Sequence, residues 1–456
     1  MVVIVALLAP APGPDGPEPG RVLATDDPVL ARGDALAVRR RVPREPGSDQ
    51  PRTTPMSTMS PTQVDDLASA PGAAAPASLQ ALAGRFDPSV FPIGSGHARV
   101  RLTGMGIGSW DVLLGDDRAE LVPADESQRP DATIEATGQT WLSLAQDIAG
   151  GMEAFREGRL VIRHDLHLGV GFLAATAPRG GDEALRFVQV PTDAGLISTM
   201  QAGSGPPVLL VHGLGATKAS FLPTVGALAD RHRVIALDLP GFGDSDKPFA
   251  AGYNAPFFAR SVVALMDALD LPSASLIGNS MGGRVALETG LQYPDRVERL
   301  VLLAPALAWL RGRPFAPLLR MVRPELGVMQ LAPRAMVEPI VRRVVPGAEE
   351  GWTAAGVDEF LRSYLEPRGR AAFYAAARSI YLDEPHGPDG FWTRLPDLQA
   401  PSLFVWGHHD HLVPLSFARH VRDALPAARH LELDCGHVPQ FERPTVVHDA
   451  IARFLR

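Results

Sequence analysis

The sequence predicts an α/β protein: a mostly parallel β-sheet with helices on both faces, preceded by a small α+β unit. Three observations predict it. Six short apolar runs recur between helical segments from 207 to 434, and strands buried on both faces read as such continuous runs. A G-x-S-x-G turn, Gly278 to Gly282, sits between one of these strands and a helix. Ahead of them, residues 98–168 mix alternating apolar and polar strands with short helical patterns.

Taken in order, residues 1–77 are rich in Pro, Gly, Ser and Thr without a sustained apolar period. Such a segment buries too little surface to offset its ordering entropy and is expected to be a disordered tail. The opening MVVIVALLA has the apolar character of a short secretion-signal core. It has no basic residue ahead of it, so a tail, or a start placed upstream of Met56 or Met59, is the reading preferred. From 78 to 180, ARVRLTGMGIGSWDVLL reads as strand, Gly-rich turn and strand, and DATIEAT as a further strand. TWLSLAQDIAGGMEAFREG reads as two helices broken at Gly150–Gly151, RLVIRHDLHL as a closing strand over 159–168, and GVGFLAA as the lead into a last helix. The six apolar runs follow in 188–456: PVLLVHG, RVIALDLPG, SASLIGNS, RLVLLAP, SLFVWG and RHLELD. Between about 306 and 396 the strands stop and arginine-rich amphipathic helices take over, the pattern of a cap over one end of the sheet.

Composition narrows the function classes. The chain has 456 residues and a formal net charge of −8, which argues against a dominantly basic nucleic-acid binder. Its one cysteine, Cys435, excludes an intramolecular disulfide and any multi-cysteine metal site. No apolar run reaches the roughly 18 residues of a membrane-spanning helix. The location expected from these features is the cytoplasm. Gly (44) and Pro (43) are abundant; the prolines crowd the tail, and many of the glycines beyond it fall at turns beside candidate site residues.

The turn GNSMGG carries the strongest chemical signal. A serine in a tight strand-to-helix turn is pushed out at the carboxyl end of the sheet, with glycines at 278 and 282 admitting the close backbone approach. A serine hydroxyl needs a base to take its proton and an acid to orient that base. Asp410 follows the strand SLFVW and His437 follows RHLELD, and strand-end loops of an α/β sheet converge. The order Ser280, Asp410, His437 therefore makes these the candidate catalytic residues. The tight loop HGLGAT, with His212 and Gly213, follows the first strong strand and faces the place where an oxyanion would form. Its Leu214 amide and the Met281 amide are the candidate oxyanion donors. His408, His409, Asp410 and His411 crowd one turn, where successive residues do not converge on an ion, and no metal is expected there. Cys435, two residues before His437, reads as a small strand-end residue.

HGLG, DLPGFGDSDKP, GNSMGG, PDRVERLVLLAP, WGHHDHLVP and GHVPQFERP, in this order, resemble the α/β-hydrolase superfamily over about 188–456. The resemblance implies an eight-stranded mostly parallel sheet, a helical cap, a Ser–Asp–His triad and no cofactor. Serine at 280 differs from the dehalogenase and epoxide hydrolase branches, which use aspartate there. The GNSMGG spelling is shared by monoacylglycerol-lipase-like esterases and by hydrolases of carbon–carbon bonds in ring-fission products. The latter usually carry an aromatic residue after the histidine, where this chain has Val438.

ARVRLTG with GSWDVLL, PDATIEA, TWLSLAQ and AFREGRLVIRHDL resemble a sterol-carrier-type lipid-binding domain over about 80–177. That family commonly has a glycine where this chain has His164. The resemblance implies an apolar tunnel for a fatty-acyl or sterol-like ligand; a solid-cored packing unit is the alternative. In the cap, Trp309, Phe315, Leu318, Met321 and Met329 read either as an acyl pocket or as the buried face of the cap helices, and the RGR of 311–313 as a solvated or substrate-guiding charge run. The expected function is a serine hydrolase of a carboxylic ester with an apolar, lipid-like acyl group. The alternatives are a carbon–carbon bond hydrolase and a lipid-transfer module with a vestigial hydrolase. The expected partner is that small-molecule ester, with no nucleic acid and no membrane span.

Overall fold

A computed structural model describes residues 75–92, 97–146, 154, 157–177, 185–249, 251–309, 316–321, 323–344 and 351–456. Residues 1–74 of the expected 1–77 tail, the Gly150–Gly151 break, the RGR run and Phe315 lie outside the described residues, and a helix begins at Ala77.

The front unit carries helix α1 (Ala77–Ala83), strands β1 (Ala98–Gly104), β2 (Gly108–Leu114), β3 (Ala119–Pro123) and β4 (Ala132–Ala136), helix α2 (Gly138–Gln146), strand β5 (Leu160–Arg163) and helix α3 (Leu166–Ala175). The strands form one sheet in the order β3-β2-β1-β4-β5. The pair β1–β2 is antiparallel with Ala98 opposite Leu114, and β4 joins β1 in parallel. One face buries Val100, Leu102, Val112, Ile134, Trp141 and Phe172. Each such side chain contributes roughly 1.5–3 kcal/mol when taken out of water. On β1 and β2, Arg101 and Arg99 bind the fully buried Asp111 carboxylate at 2.8 and 2.7 Å, so a charge facing inward is neutralised locally.

The closing strand is shorter than the sequence predicts. It stops at Arg163 because His164 takes a left-handed φ of 73° and Asp165 caps α3, accepting from the Leu168 amide at 2.8 Å. A left-handed residue at 164 gives the physical reason why glycine suits this position, and histidine is among the few side chains that tolerate it.

The larger unit contains β6 (Arg186–Thr192), β7 (Gly195–Ala202), β8 (Pro207–Val211), α4 (Leu222–Leu228), β9 (Arg233–Leu237), α5 (Ala255–Ala268), β10 (Ala274–Asn279), α6 (Met281–Gln292) and β11 (Val297–Leu303). There follow α7 (Ala316–Met321), α8 (Arg334–Val344), α9 (Gly351–Leu365), α10 (Pro367–Leu382) and α11 (Phe391–Arg394). The chain closes with β12 (Ser402–Gly407), α12 (Ser416–Ala424), β13 (Arg429–Leu433), α13 (Pro439–Glu442) and α14 (Pro444–Phe454). Eight strands form one sheet in the order β13-β12-β11-β10-β8-β9-β7-β6. It is parallel from β13 to β9, and β7 and β6 add an antiparallel edge hairpin. The six apolar runs are its parallel strands. The first strand of the hairpin, RFVQVPT, carries no continuous apolar run, because only Phe187 and Val190 of it are buried. Helices α7 to α10 come between β11 and β12, the cap that the loss of strands predicts.

The two units share a core. Phe91 of the front unit packs edge-on against Phe187 of β6 at 5.2 Å, with His167 of α3 against both rings. The front unit also grips the cap: Arg163 Nε and the His164 amide donate to Asp358 Oδ2 of α9 at 2.8 and 3.0 Å. Arg342 of α8 donates to the other oxygen at 2.8 Å. Burial opposes ionisation of Asp358, but these donors override it and hold its carboxyl below the usual carboxylate range.

Candidate active site

Strand β10 ends at Asn279, and Ser280 turns the chain into α6 at φ 54° and ψ −117°. A serine in this region of backbone space costs about 1–3 kcal/mol and persists only where its surroundings over-determine it. Here its amide donates to Leu303 O at 3.0 Å, and its carbonyl accepts from the Ala306 amide at 2.9 Å. Gly282 is dictated by close approach: a Cβ there would lie 1.9 Å from Val211 O of β8. Met281 is the first residue of α6, where a backbone N–H has no partner within the helix. The HGLG loop follows β8, and a Cβ on Gly213 would come within 3.3 Å of Ser280 Cβ, so the loop carrying Leu214 lies directly beside the serine.

Asp410 and His437 meet across the ends of β12 and β13. His437 Nδ1 donates to Asp410 Oδ2 at 2.8 Å, and Asp410 Oδ1 accepts the amides of Leu412 and Val413 at 2.8 and 2.9 Å. The Asp410 side chain is fully buried, while His437 is partly open. With Nδ1–H committed to a carboxylate, the basic nitrogen of the ring is Nε2. His212 is held likewise. Its Nε2 accepts the Leu239 amide at 3.0 Å, so Nδ1 carries the proton that goes to Gly213 O at 2.7 Å. Burial pushes the pKa of His212 down, which keeps the ring neutral and the loop fixed.

Three residues that the sequence did not single out hold this arrangement. Asn279 Nδ2 donates to Leu303 O and to His437 O, tying the serine turn to the histidine loop. Glu442 accepts the amides of Gly436 and Val438, one on each side of His437. Arg284 lies one turn after Ser280, is buried, and binds Glu288 at 2.7 Å and Asp383 at the end of α10 at 2.8 Å. The spacing of Arg284 and Glu288 on α6 was a readable signal, whereas Asp383 and Asn279 act over distances no local pattern encodes.

The Glu288 carboxyl is fully buried. Burial alone would raise its pKa, but hydrogen bonds from Arg394 and Arg284 prevail and hold it at about 2. A folded-state value below the unfolded one stabilises the protein above the unfolded pKa of about 4.5, and that stabilisation fades as pH falls toward 2. Chemical denaturation of wild type and Glu288→Gln is therefore expected to show a stability gap that is largest above pH 4.5. The gap should narrow by on the order of 3 kcal/mol between there and pH 2. A gap independent of pH would refute the assignment.

His408 and His409 turn outward, His408 lying 4.0 Å from Glu432 and His409 hydrogen-bonding Asp434 at 2.6 Å. Burial, aided by Glu442, pushes the Cys435 thiol up to about 11, so it is protonated at neutral pH. A cavity of about 540 Å³ opens between α5, α6 and α10, lined in part by Tyr253, Phe258, Met281, Arg284, Val285 and Ile380. The cap residues expected to line a pocket or a buried face do neither: Leu318, Met321 and Met329 are 48, 73 and 80% exposed. Trp309 is half-buried against Phe417. Helix α9 instead reaches the HGLG loop through Phe360, whose ring covers Gly215, and through Glu359, which accepts from Thr217.

An eight-stranded sheet, a strained serine turn at the end of β10 and an aspartate–histidine pair at the ends of β12 and β13 define a hydrolase-type α/β architecture. The alpha/beta hydrolase fold family matches residues 206–444, and the chain belongs to that family. The SCP-2 sterol transfer family matches residues 90–173, so the front unit is a sterol-carrier-type domain. An uncharacterised protein of Mycobacterium tuberculosis is 31% identical over 267 residues, 56% of this chain and 76% of that protein. The 2-hydroxy-6-oxo-6-phenylhexa-2,4-dienoate hydrolase of Comamonas testosteroni is 30% identical over 272 residues, 57% of this chain and 91% of the relative. A solved enol-lactonase of Burkholderia xenovorans aligns at 22% identity and a TM-score of 0.49, covering 59% of this chain and 99% of that one. Among the described residues no helix is long and apolar enough to cross a membrane.

Proposed function

We propose that the protein is a serine hydrolase that cleaves carboxylic esters with an apolar, lipid-like acyl group through an acyl-enzyme. The observation that carries the reading is the Asp410–His437 hydrogen bond at the strand ends, beside a serine held at the end of β10. His437 Nε2 takes the Ser280 proton as Oγ attacks the carbonyl, and Asp410 keeps the ring in the tautomer that leaves Nε2 basic. The amides of Leu214 and Met281 receive the oxyanion. His437 then protonates the leaving alcohol, and a water activated by the same nitrogen releases the acid. The sterol-carrier-type domain supports the lipid-like character of the substrate, as a site that binds or presents it.

The activity named for the Comamonas relative favours a second reading, hydrolysis of a carbon–carbon bond in a dienoic ketone by the same residues. A chain-length series of chromogenic esters, assayed beside a ring-fission dienoate, separates the two. The ester reading expects kcat/KM to rise about three- to fourfold per added methylene until the pocket is full, from roughly 0.8 kcal/mol per buried methylene. A flat or falling series together with faster turnover of the dienoate replaces it with the second reading.

A further inference from the structure

The outer face of the cap is apolar where a surface should be wet. Of the exposed large apolar side chains among the described residues, seven lie between 318 and 340. Leu318, Met321, Leu326, Met329, Leu331 and Met336 are 48 to 93% exposed, and Ile340 is 39% exposed. Six of them project from three successive elements, α7, the turn Pro324–Met329 and α8, and Leu331 from the link before α8. Helix α8 explains the patch best. Its Val337 and Val341 pack inward against Val357 and Leu361 of α9, so its apolar stripe is already used. Met336 and Ile340 stand one residue away on the open side, giving the helix a second apolar face that the fold does not cover. A cluster of this kind on a water-facing surface marks an interaction site.

Charge decides the occupant. Over 316–344 there are five arginines against two glutamates; Arg334 and Arg342 are taken up by Glu338 and Asp358, which leaves Arg320, Arg323 and Arg343 against Glu325 in a chain of net −8. Arg320, Arg323 and Arg343 are exposed beside the apolar side chains. Arg320, Arg323 and Arg378 line a cleft of about 450 Å³ with Glu325 and Leu326, and Arg378 fixes that cleft by donating to the carbonyls of Leu319 and Arg320. A second copy pairing through the same patch would bring like-charged rims together. An anionic phospholipid surface satisfies both halves: protruding Met and Leu side chains enter the headgroup–acyl boundary, and guanidinium groups meet phosphates.

We propose that the outer face of the cap, from Leu318 to Ile340 with its arginine rim, docks the protein on anionic phospholipid bilayers. The inference is independent of the reaction, because its readout is binding. The full chain is sedimented with vesicles of phosphatidylcholine alone and of phosphatidylcholine rich in phosphatidylglycerol. Cosedimentation with the anionic vesicles is expected, weakening with salt. Met329→Ser/Leu331→Ser should reduce it at least about tenfold, and each of Arg320→Ala and Arg323→Ala about fivefold, the equivalent of roughly 1 kcal/mol per arginine. All four positions are exposed, and unchanged melting curves verify that the variants fold. Absence of cosedimentation, or equal binding to neutral vesicles with no effect of the arginine variants, overturns the proposal. So does a dimer in light scattering that Met329→Ser/Leu331→Ser converts to monomer, which would assign the patch to a second copy.

Discussion

A Ser280→Ala variant is expected to lose turnover by on the order of 10⁴- to 10⁶-fold and to resist labelling by a fluorophosphonate, while its melting curve stays close to wild type. The size follows from the proposed role: without a nucleophile the base and its orienting acid have nothing to act on, and only oxyanion binding and positioning remain. The backbone supplies a control that separates chemistry from folding. At φ 54° a serine and an alanine are equally strained, so the alanine variant keeps the turn as it is. A Ser280→Gly variant should be equally inactive yet no less stable, since glycine takes such angles without a Cβ penalty. Persistent labelling of Ser280→Ala would move the nucleophile to another residue, whereas a wild-type chain with neither labelling nor turnover would leave the reading of a binding module with a vestigial hydrolase fold.

The second large effect concerns stability. Lys218 is buried, and its Nζ bridges Asp238 at 2.6 Å and Asp244 at 3.0 Å. Its own amide and that of Asp244 complete the Asp238 carboxylate. Burial would lower the lysine pKa, but Asp238 and then Asp244 raise it, so the ammonium stays charged. Lys218→Met removes the one cation that touches Asp238 among the described residues, and that carboxylate has no solvent exposure. Leaving a buried charge uncompensated costs about 3–5 kcal/mol, which urea denaturation reads as a lower midpoint at unchanged slope. Adding Asp238→Asn should recover part of the loss, because the stranded charge goes with it. A Lys218→Met penalty below about 1 kcal/mol would mean that the pair is not sealed from water. The effect reaches beyond one loop: Asp244 is also bound by Arg362 of α9 at 2.8 Å and lies 3.3 Å from His167 of the front domain. The cluster therefore joins both domains and the cap at one point.

Much of the fold was legible because it is written locally. The six parallel strands are short apolar runs, the front hairpin is an alternating pattern with a Gly-rich turn, and the cap is the gap where strands stop. The elements missed were those whose patterns are weak. In the edge hairpin, β6 buries only Phe187 and Val190 while β7 buries the polar Ser198 and Thr199, so neither reads as an apolar run, and β3 is a half-exposed edge. Periodicity continues through His164, so the closing strand reads longer in the sequence than it is, and only the backbone angle at His164 ends it.

The candidate site divides along the same line. Ser280, Asp410 and His437 could be named from turn chemistry and chain order, because each sits just beyond a strand that announces itself. What sequence alone could not give is their support: Asn279 reaching the His437 carbonyl and Arg284 reaching Asp383 join positions about a hundred residues or more apart. Nor could it decide which apolar cap residues face inward. Leu318, Met321 and Met329 read equally as core, and only the packing of α7 and the Pro324–Met329 turn against α10 leaves them in water. The sequence by itself determined the class of fold, the strand order of the chemistry and the kinship of both domains, since these follow from local periodicity and short motifs. Tertiary structure alone decided how the front domain holds the cap, through Arg163 and His164 on Asp358, because such a contact depends on which surfaces meet.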